Sequence, residues 1–230
     1  MKSSDNRTTI FSATFIAGLA LINSSVSVEA AVADNDCKII LESTAGDEIK
    51  NGLMDAAASG KLYRVDAEKS SVSFSVRHFP FSKVEGRFQA FDGVLVGLNQ
   101  SQPDGQILFV IKSSSVYTGD NATNALIKGE RFFDTKLFPD IIFAGRYIEL
   151  LDDGTATIDG EVTVRNITRP LSLKVNFVQN GRTGRFVAER LHIQAQTNLD
   201  RTEYGMDNLS LIVSNTVVLE LELYLNRVSF

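Results

Sequence analysis

Residues 71–78 have the sequence SVSFSVRH, in which polar and apolar side chains alternate. Val72, Phe74 and Val76 share one face with His78, while serines and Arg77 occupy the other face. Successive side chains of a β-strand point to opposite sides of the sheet. The segment therefore predicts a strand with one buried face and one solvated face.

The same period of two recurs along most of the chain after Leu62. It predicts about eight or nine antiparallel strands, joined by turns that we expect at Arg169-Pro170 and Asn180-Gly181. A sheet of this kind loses its exposed edges when it closes, so we expect an all-β fold: a closed antiparallel up-and-down barrel. The further alternating segments are residues 84–96, 106–112, 141–150, 157–165, 171–177, 191–195 and 217–225.

One long interruption, from Tyr117 to Pro139, separates two of these strands. Asp120 or Asn121 can cap a short helix that Gly129 ends, so we expect one or two short helices over one mouth of the barrel. The segment is also rich in phenylalanine, which predicts an apolar entrance in place of a catalytic cleft. The aromatic residues concerned are Phe132, Phe133 and Phe138, with Phe143 following in the next strand.

The first 33 residues have the three zones of a secretory signal peptide. Lys2 and Arg7 precede an apolar stretch from Thr8 to Ile22, and Ala31-Val32-Ala33 is a small-x-small site, so we expect cleavage after Ala33. An uncleaved membrane anchor is the alternative, disfavoured because no stop-transfer pattern follows. We expect residues 34–61 to form an N-terminal extension with at most one short helix, and residues 62–230 to form the barrel domain.

Charge and cysteine content exclude several classes of protein. The chain has a net charge of −5 and a pI near 5.1, so it lacks the basic face that binding to a nucleic acid requires. Cys37 is the one cysteine, so the domain has no intrachain disulfide and must be held by its core. An incidental thiol and an intermolecular or reactive role for Cys37 both remain open.

Catalytic and metal-binding motifs are scarce, so we expect a protein that is not an enzyme. His78 and His192 fall on different strand faces, which makes a Ser/His/Asp system, a Cys/His system or a zinc site difficult to build. The sequence has no Gly-rich phosphate loop, GxSxG elbow or HExxH helix. Neither a metal nor a catalytic residue is predicted, and no cofactor is expected.

Several separated motifs carry a family resemblance. They are Asp66–Phe74 with His78, Gly86-Arg87-Phe88 followed by Gly93, Thr118-Gly119, Phe132-Phe133-Asp134 with Phe138-Pro139 and Phe143, Gly160, Thr168-Arg169-Pro170, and Arg201–Met206. With these motifs the chain from about Tyr63 to Arg227 resembles the YceI family, whose members are lipocalin-like proteins that bind polyisoprenoid chains in the bacterial periplasm. One departure is Lys69-Ser70, where the family pattern usually has a His-Ser pair.

The resemblance implies a periplasmic protein that binds, transports or stores a polyisoprenoid lipid, such as an isoprenoid quinone, its precursor or a polyprenyl chain. A membrane donor or acceptor protein and a homodimer are possible partners. For each expected lining residue, ordinary core packing is the alternative, and Arg201 is either a ligand for an anion or part of a fixed loop. The expected ligand-binding residues are Phe74, Val76, His78, Phe88, Phe109, Phe132, Phe133, Phe138, Phe143, Val162, Leu173, Phe177 and Arg201.

Two other functions stay open at this point. His78 follows an apolar stripe, so it could serve a hydrolase or isomerase that acts on a lipid head group, or it could be a structural histidine. The barrel could also be filled by its own side chains and serve a structural or stress-response role, because an eight-stranded barrel is close to the size at which its interior fills. Periodicity alone does not separate a filled barrel from a hollow one.

Overall fold

The structure is a computed structural model, and it describes residues 38–47, 50–51, 62–96, 105–151, 154–178 and 189–228. The expected signal peptide, Cys37 and the turn expected at Asn180-Gly181 lie outside the described residues. Among the described residues, α1 (Lys38–Leu41) and α2 (Asn121–Lys128) are α-helices, and Ser113–Ser115 and Arg201–Tyr204 are 3-10 helices. The strands are β1 (Leu62–Val65), β2 (Ser71–His78), β3 (Ser82–Phe88), β4 (Phe91–Val96), β5 (Gln106–Lys112), β6 (Val116–Tyr117), β7 (Asp140–Leu150), β8 (Thr155–Val164), β9 (Ile167–Phe177), β10 (Arg190–Asp200) and β11 (Val213–Val228).

Eight strands close into a ring in which every neighbouring pair is antiparallel. The order is β1, β4, β5, β7, β8, β9, β10 and β11, and β11 pairs back onto β1 from Leu62 opposite Val228 to Val65 opposite Leu225. Most ring neighbours are consecutive along the chain, but β2 and β3 come between β1 and β4, β6 and α2 come between β5 and β7, and β11 and β1 are the last and first strands. The predicted closed antiparallel up-and-down barrel is confirmed.

Three further strands, β2, β3 and β6, extend the sheet on one side of the ring. β2 follows β1 and pairs with the first half of β11, β3 pairs with β2, and β6 pairs with β3. The strand predicted over residues 84–96 is therefore two strands, β3 and β4, which are separated at Gln89 and Ala90. At this break Gln89 N donates to Ser115 O and Lys112 N donates to Ala90 O, so the backbone bends while its hydrogen bonds stay satisfied.

The turn predicted at Arg169-Pro170 is wrong. The β8–β9 hairpin turns at Arg165 and Asn166, whose φ angles of 52° and 58° are those of a two-residue turn with positive φ at both positions. Pro170 lies inside β9 opposite Glu161. Hydrogen-bonded and non-hydrogen-bonded pairs alternate along an antiparallel hairpin, beginning with a hydrogen-bonded pair next to a two-residue turn. Pro170 falls in a non-hydrogen-bonded pair, so its nitrogen points away from β8 and toward β10.

The sheet opens on the β10 side of Pro170. Among the described residues β9 and β10 pair from Val175 to Phe177, whereas β9 pairs with β8 along its full length. A proline cannot donate a ladder hydrogen bond, so Pro170 favours an unpaired strand edge at this point. The barrel is therefore closed at the end of β9 that holds Phe177 and splayed at the end that holds the hairpin turn.

Apolar side chains pack on both sides of part of the wall. One cluster lines the barrel interior, and a second lies outside β4, β5 and β7, where Ile40 of α1 and Ala45 cover Val94 and Leu108. Thr44 N donates to Asp140 Oδ2 at 2.7 Å, and Lys112 Nζ lies 2.7 Å from Asp140 Oδ1. These contacts fix residues 38–47 to the outer wall, so α1 does not lie over the mouth and α2 is the helix found there.

A methyl group added at Gly160 should destabilise the barrel. Its Cβ would lie 2.5 Å from Ala144 O and 2.7 Å from Gly145 Cα, and backbone in a paired strand cannot move aside. We expect Gly160→Ala to lower the free energy of unfolding by about 1–3 kcal/mol, measured by denaturant titration. The matched control is Gly46→Ala, where an added Cβ meets nothing within 4 Å. Equal stability of the two variants would contradict this packing.

Candidate functional site

Two apolar cavities lie inside the barrel. The first, the mouth cavity, has a volume of about 120 Å³ and is bounded by Phe74, Phe88, Phe133 and Val217 among others. The second, the inner cavity, has a volume of about 90 Å³ and is bounded by residues that include Phe109 and Leu223. Their lining surfaces consist of apolar atoms alone. The barrel is thus hollow and not filled by its own side chains.

The two cavities are adjacent, and we refer to them together as the tunnel. Ile111, Ile141, Leu199 and Leu219 line both of them. These four residues come from β5, β7, β10 and β11, which places them around the barrel at one level. A ligand that fills the mouth cavity therefore meets the same side chains that border the inner cavity.

The mouth is built by the segment between β6 and β7. The Asp120 side chain accepts a hydrogen bond from Thr123 N and begins α2, which ends at Gly129, as the sequence predicts. The chain then folds back, with Phe133 N donating to Ile127 O at 3.0 Å. This turn places Phe132 and Phe133 in the mouth cavity, and the Phe133 ring lies edge-on to Phe88 at 5.9 Å between centroids.

Most of the residues expected to bind a ligand line the tunnel. The mouth cavity contains Phe74, Val76, Phe88, Phe132, Phe133 and Arg201, and the inner cavity contains Phe109, Phe143, Val162 and Leu173. The alternating pattern indicates these positions because an inward position in a hollow barrel is at once a core position and a lining position.

Three expected residues line neither cavity. His78 lies at the rim, half-buried, with Nδ1 3.1 Å from Ser82 Oγ. Phe138 faces the Arg165 guanidinium, which lies 5.6 Å from its ring centroid. Phe177 is buried at the closed end of the barrel, below the inner cavity, where it belongs to the interior core.

Arg201 lines the mouth cavity but directs its polar atoms into a loop of the protein. It is 4% exposed, and its guanidinium donates to the carbonyl oxygens of residues 206, 208, 213 and 214 and, at 3.4 Å, to Ser210 Oγ. Burial lowers the pKa of Arg201, while Asp200 and Asp207 act in the opposite direction. All five N–H donors have acceptors in the protein, so the geometry supports a fixed loop and not pairing with a ligand anion.

Sequence reasoning missed several lining residues. Ile111, Ile141 and Leu219 lie on inward faces of predicted strands, so the period of two already contained the signal for them. Tyr204 and Met206 come from the segment around Arg201, and Val213 begins β11 ahead of the alternating residues 217–225, so no periodicity marks the side of these residues that faces the cavity. Burial raises the pKa of the Tyr204 hydroxyl, with a further upward contribution from Glu203.

The described ranges hold neither a cluster of metal ligands nor a helix that could span a membrane. They contain no group of three or more His, Cys, Asp or Glu side chains that could hold a metal ion. Within the same part of the chain, no helix has both the length and the apolar character needed to cross a bilayer.

Replacing Arg201 should destabilise the mouth. Arg201→Gln keeps the polar character but leaves several buried carbonyl groups without donors, so we expect a loss of about 3–5 kcal/mol in the free energy of unfolding. Arg169→Gln is the matched control, because Arg169 is exposed and donates to the neighbouring Thr168 carbonyl. Thermal unfolding of the two variants checks this expectation, and an unchanged Arg201→Gln protein would refute the structural role.

Solved structures share this architecture. The crystal structure of Burkholderia cenocepacia BcnA has a TM-score of 0.61 and 21% sequence identity, and the match covers 70% of this chain and 98% of that one. A polyisoprenoid binding domain from Saccharophagus degradans, implicated in plant cell wall breakdown, has a TM-score of 0.56 and 17% identity over 71% of this chain and 97% of that one. The Campylobacter jejuni YCEI protein has a TM-score of 0.57 and 18% identity, with 66% and 90% covered.

Curated relatives and a family profile match the same region. A UPF0312 protein of Pseudomonas putida is 26% identical over 147 residues, which is 63% of this chain and 76% of the relative. A UPF0312 protein of Shewanella sp. strain W3-18-1 is 31% identical over 132 residues, with 56% and 69% covered. The profile described as the YceI-like domain matches residues 63–225, which span the barrel from β1 to β11. The chain therefore belongs to the YceI-like family.

Proposed function

We propose that this protein binds the hydrocarbon tail of a polyisoprenoid lipid in the barrel tunnel and carries or stores it without changing it chemically. The observation that supports this most directly is the pair of adjacent apolar cavities with four shared lining residues. A long, branched hydrocarbon can follow such a path, whereas a compact polar metabolite would find no hydrogen-bond partner along it.

The dimensions favour a hydrocarbon ligand. Each cavity approaches the size of the engineered apolar cavity of about 150 Å³ that stays dry and binds benzene. Burial of a methylene group contributes about 0.8 kcal/mol, so two or three isoprene units would contribute about 8–12 kcal/mol before the costs of association are subtracted. Affinity should therefore rise with the length of chain that the tunnel holds.

We expect the protein to recognise the ligand through its hydrocarbon tail and not through its head group. The two polar side chains of the mouth cavity, Arg201 and Tyr204, present only apolar atoms to it, and the guanidinium donors of Arg201 are already used. A head group would thus remain near the mouth, in contact with water. The choice of a polyisoprenoid among hydrocarbon lipids is supported by the binding domain from Saccharophagus degradans that shares this fold.

Location and transport are part of the same proposal. The charged start, the apolar stretch and the small-x-small site within residues 1–33 support export of the chain. The family resemblance supports the periplasm as the destination, where a lipid that crosses between two membranes needs a protein to shield its tail from water.

Binding without catalysis is favoured over the head-group hydrolase or isomerase. The catalytic residue of that alternative would be His78, whose ring contacts Ser82 at the rim and does not line either cavity. A general base must come within hydrogen-bond reach of the proton that it removes. We therefore expect His78→Ala to retain the bound lipid, which mass spectrometry would detect.

Native mass spectrometry of the protein purified from its own host is the central test. We expect a noncovalent adduct whose fragments are those of a polyisoprenoid. Leu219→Trp should lower adduct occupancy at least about tenfold, because the indole would block the junction of the two cavities. Val218→Trp is the matched control, since the neighbouring side chain on β11 points to the outer face.

Two results would contradict the proposed function. One is a wild-type protein that carries no lipid after purification and takes none up from an added polyprenol. The other is equal loss of the adduct in the Leu219 and Val218 variants, which would show that tunnel width is irrelevant. The chain has no natural tryptophan, so the indole fluorescence of each variant also reports whether a ligand reaches the tunnel.

A further inference from the structure

Two loops meet at the rim of the mouth and expose a cluster of large apolar side chains. The turn between β2 and β3 contains Phe79 and Phe81, and the loop before β11 contains Leu209, Leu211 and Ile212. Phe79 N donates to Ile212 O at 2.8 Å, which holds the loops side by side. We call these five residues the rim patch.

The exposure of the rim patch is extreme at its tips. Phe81 is 99% exposed and Leu211 is 96% exposed, and the other three residues are exposed by 39–48%. Single exposed apolar residues are ordinary, but a contiguous group on two neighbouring loops marks an interaction surface. Burial of both tips against a partner would remove most of this apolar area from water.

The rim patch is continuous with the tunnel. Val213 pairs with His78 directly below the two loops, and Val213 and Val76 both line the mouth cavity. An apolar path therefore leads from the exposed tips into the barrel interior. A lipid tail that moved along this path would exchange one apolar contact for another.

The loop that carries Leu211 is fixed before any partner arrives. Arg201 donates to the carbonyls of Met206, Asn208 and Val213 on either side of the tip. The tip thus projects from a preorganised backbone, and Leu211 stays exposed although the loop around it is bonded to the barrel. A protein partner would need a groove that matches these apolar tips, whereas the fluid hydrocarbon layer of a membrane adapts to their shape. Because the tips are preorganised, little conformational freedom is lost when they insert.

We propose that the rim patch docks the barrel mouth onto a membrane, with Phe81 and Leu211 inserted among the lipid acyl chains. The ligand is a bilayer surface, and the contact aligns the tunnel with the layer in which a polyisoprenoid tail is dissolved. The role of this docking in lipid transfer rests on the proposed function, whereas the docking itself is inferred from the geometry of the rim patch.

Charge at the rim is consistent with apolar insertion. Residues 77–85, 129–138 and 205–213 carry four basic side chains, Arg77, Lys83, Arg131 and Lys136, and four acidic ones, Glu85, Glu130, Asp134 and Asp207. The four positive and four negative charges cancel, so these three segments are neutral, whereas the whole chain has a net charge of −5. Anionic lipids would therefore neither repel the mouth nor supply the main attraction, and binding should depend weakly on salt.

Vesicle flotation with the full-length mature protein tests the docking. The probes are vesicles of phosphatidylcholine alone and vesicles of phosphatidylethanolamine with phosphatidylglycerol, each at low and high salt. We expect binding to both, and we expect the double variant Phe81→Ser with Leu211→Ser to bind at least about 30-fold more weakly. The matched control is Leu151→Ser with Val178→Ser, whose apolar side chains are each 39% exposed at the closed end of the barrel.

Each other outcome overturns the docking. These outcomes are a wild-type protein that stays free of both vesicles, equal losses in the two double variants, and binding that needs phosphatidylglycerol and disappears with salt. Sedimentation velocity adds a fourth: self-association that the Phe81 and Leu211 changes abolish would assign the rim patch to a second copy of the chain.

Native mass spectrometry separates this inference from the proposed function. We expect the Phe81 and Leu211 double variant to keep its bound lipid when the tail is loaded from detergent, because neither residue lines the tunnel. A lipid adduct without vesicle binding would overturn the docking alone. Vesicle binding without any lipid adduct would overturn the proposed function and leave the docking in place.

Discussion

The pairing of β1 with β11 is the constraint on which the rest of the molecule depends. It joins the first and last strands of the domain and closes the sheet, so that no strand edge remains at this end of the barrel. Closure with eight strands also fixes the width of the interior. At that width the large side chains of facing strands can fill the axis or leave room for one ligand, and here they leave a tunnel.

The two ends of the barrel differ because the ring does not persist along its whole height. At the closed end Tyr63, Leu95 and Leu225 are almost completely buried, and burial raises the pKa of the Tyr63 hydroxyl. At the other end β9 departs from β10, and the chain between β6 and β7 leaves the sheet to form α2 and the aromatic turn. The apolar groups that a continuous sheet would have covered are covered there by loops, and the cavity lies beneath them.

Much of this arrangement follows from the sequence, because period-two alternation specifies both a strand and the side of it that faces inward. Phe74, Phe109 and Val162 could be assigned to the lining for that reason. The hairpin turn could not be placed, since Arg165 and Asn166 adopt positive φ while Pro170, the residue most typical of a turn, lies within a strand edge. The lining role of Met206 could not be predicted either, because it depends on a loop conformation that the Arg201 guanidinium holds through backbone carbonyls.

Arg201 explains how so apolar a mouth can be rigid. Moving a guanidinium out of water is unfavourable by several kcal/mol, and here backbone carbonyls of the loop offset that loss. The Met206 and Asn208 carbonyls lie in the loop before β11, and those of Val213 and Ser214 lie at the irregular start of β11, so the arginine supplies donors where the ladder is incomplete. Its guanidinium also lies 5.9 Å from the ring centroid of Phe132, which couples the loop to the aromatic turn across the opening.

The same group therefore holds both sides of the mouth without presenting a charge to the cavity. Asn208 Nδ2 donates to Arg131 O at 3.2 Å and adds a second link between the two sides. These links hold the loop before β11 and the aromatic turn together over the mouth cavity. The apolar lining continues behind these links, where Ile111, Ile141, Leu199 and Leu219 border both cavities at the level at which the interior passes from the loops to the closed barrel.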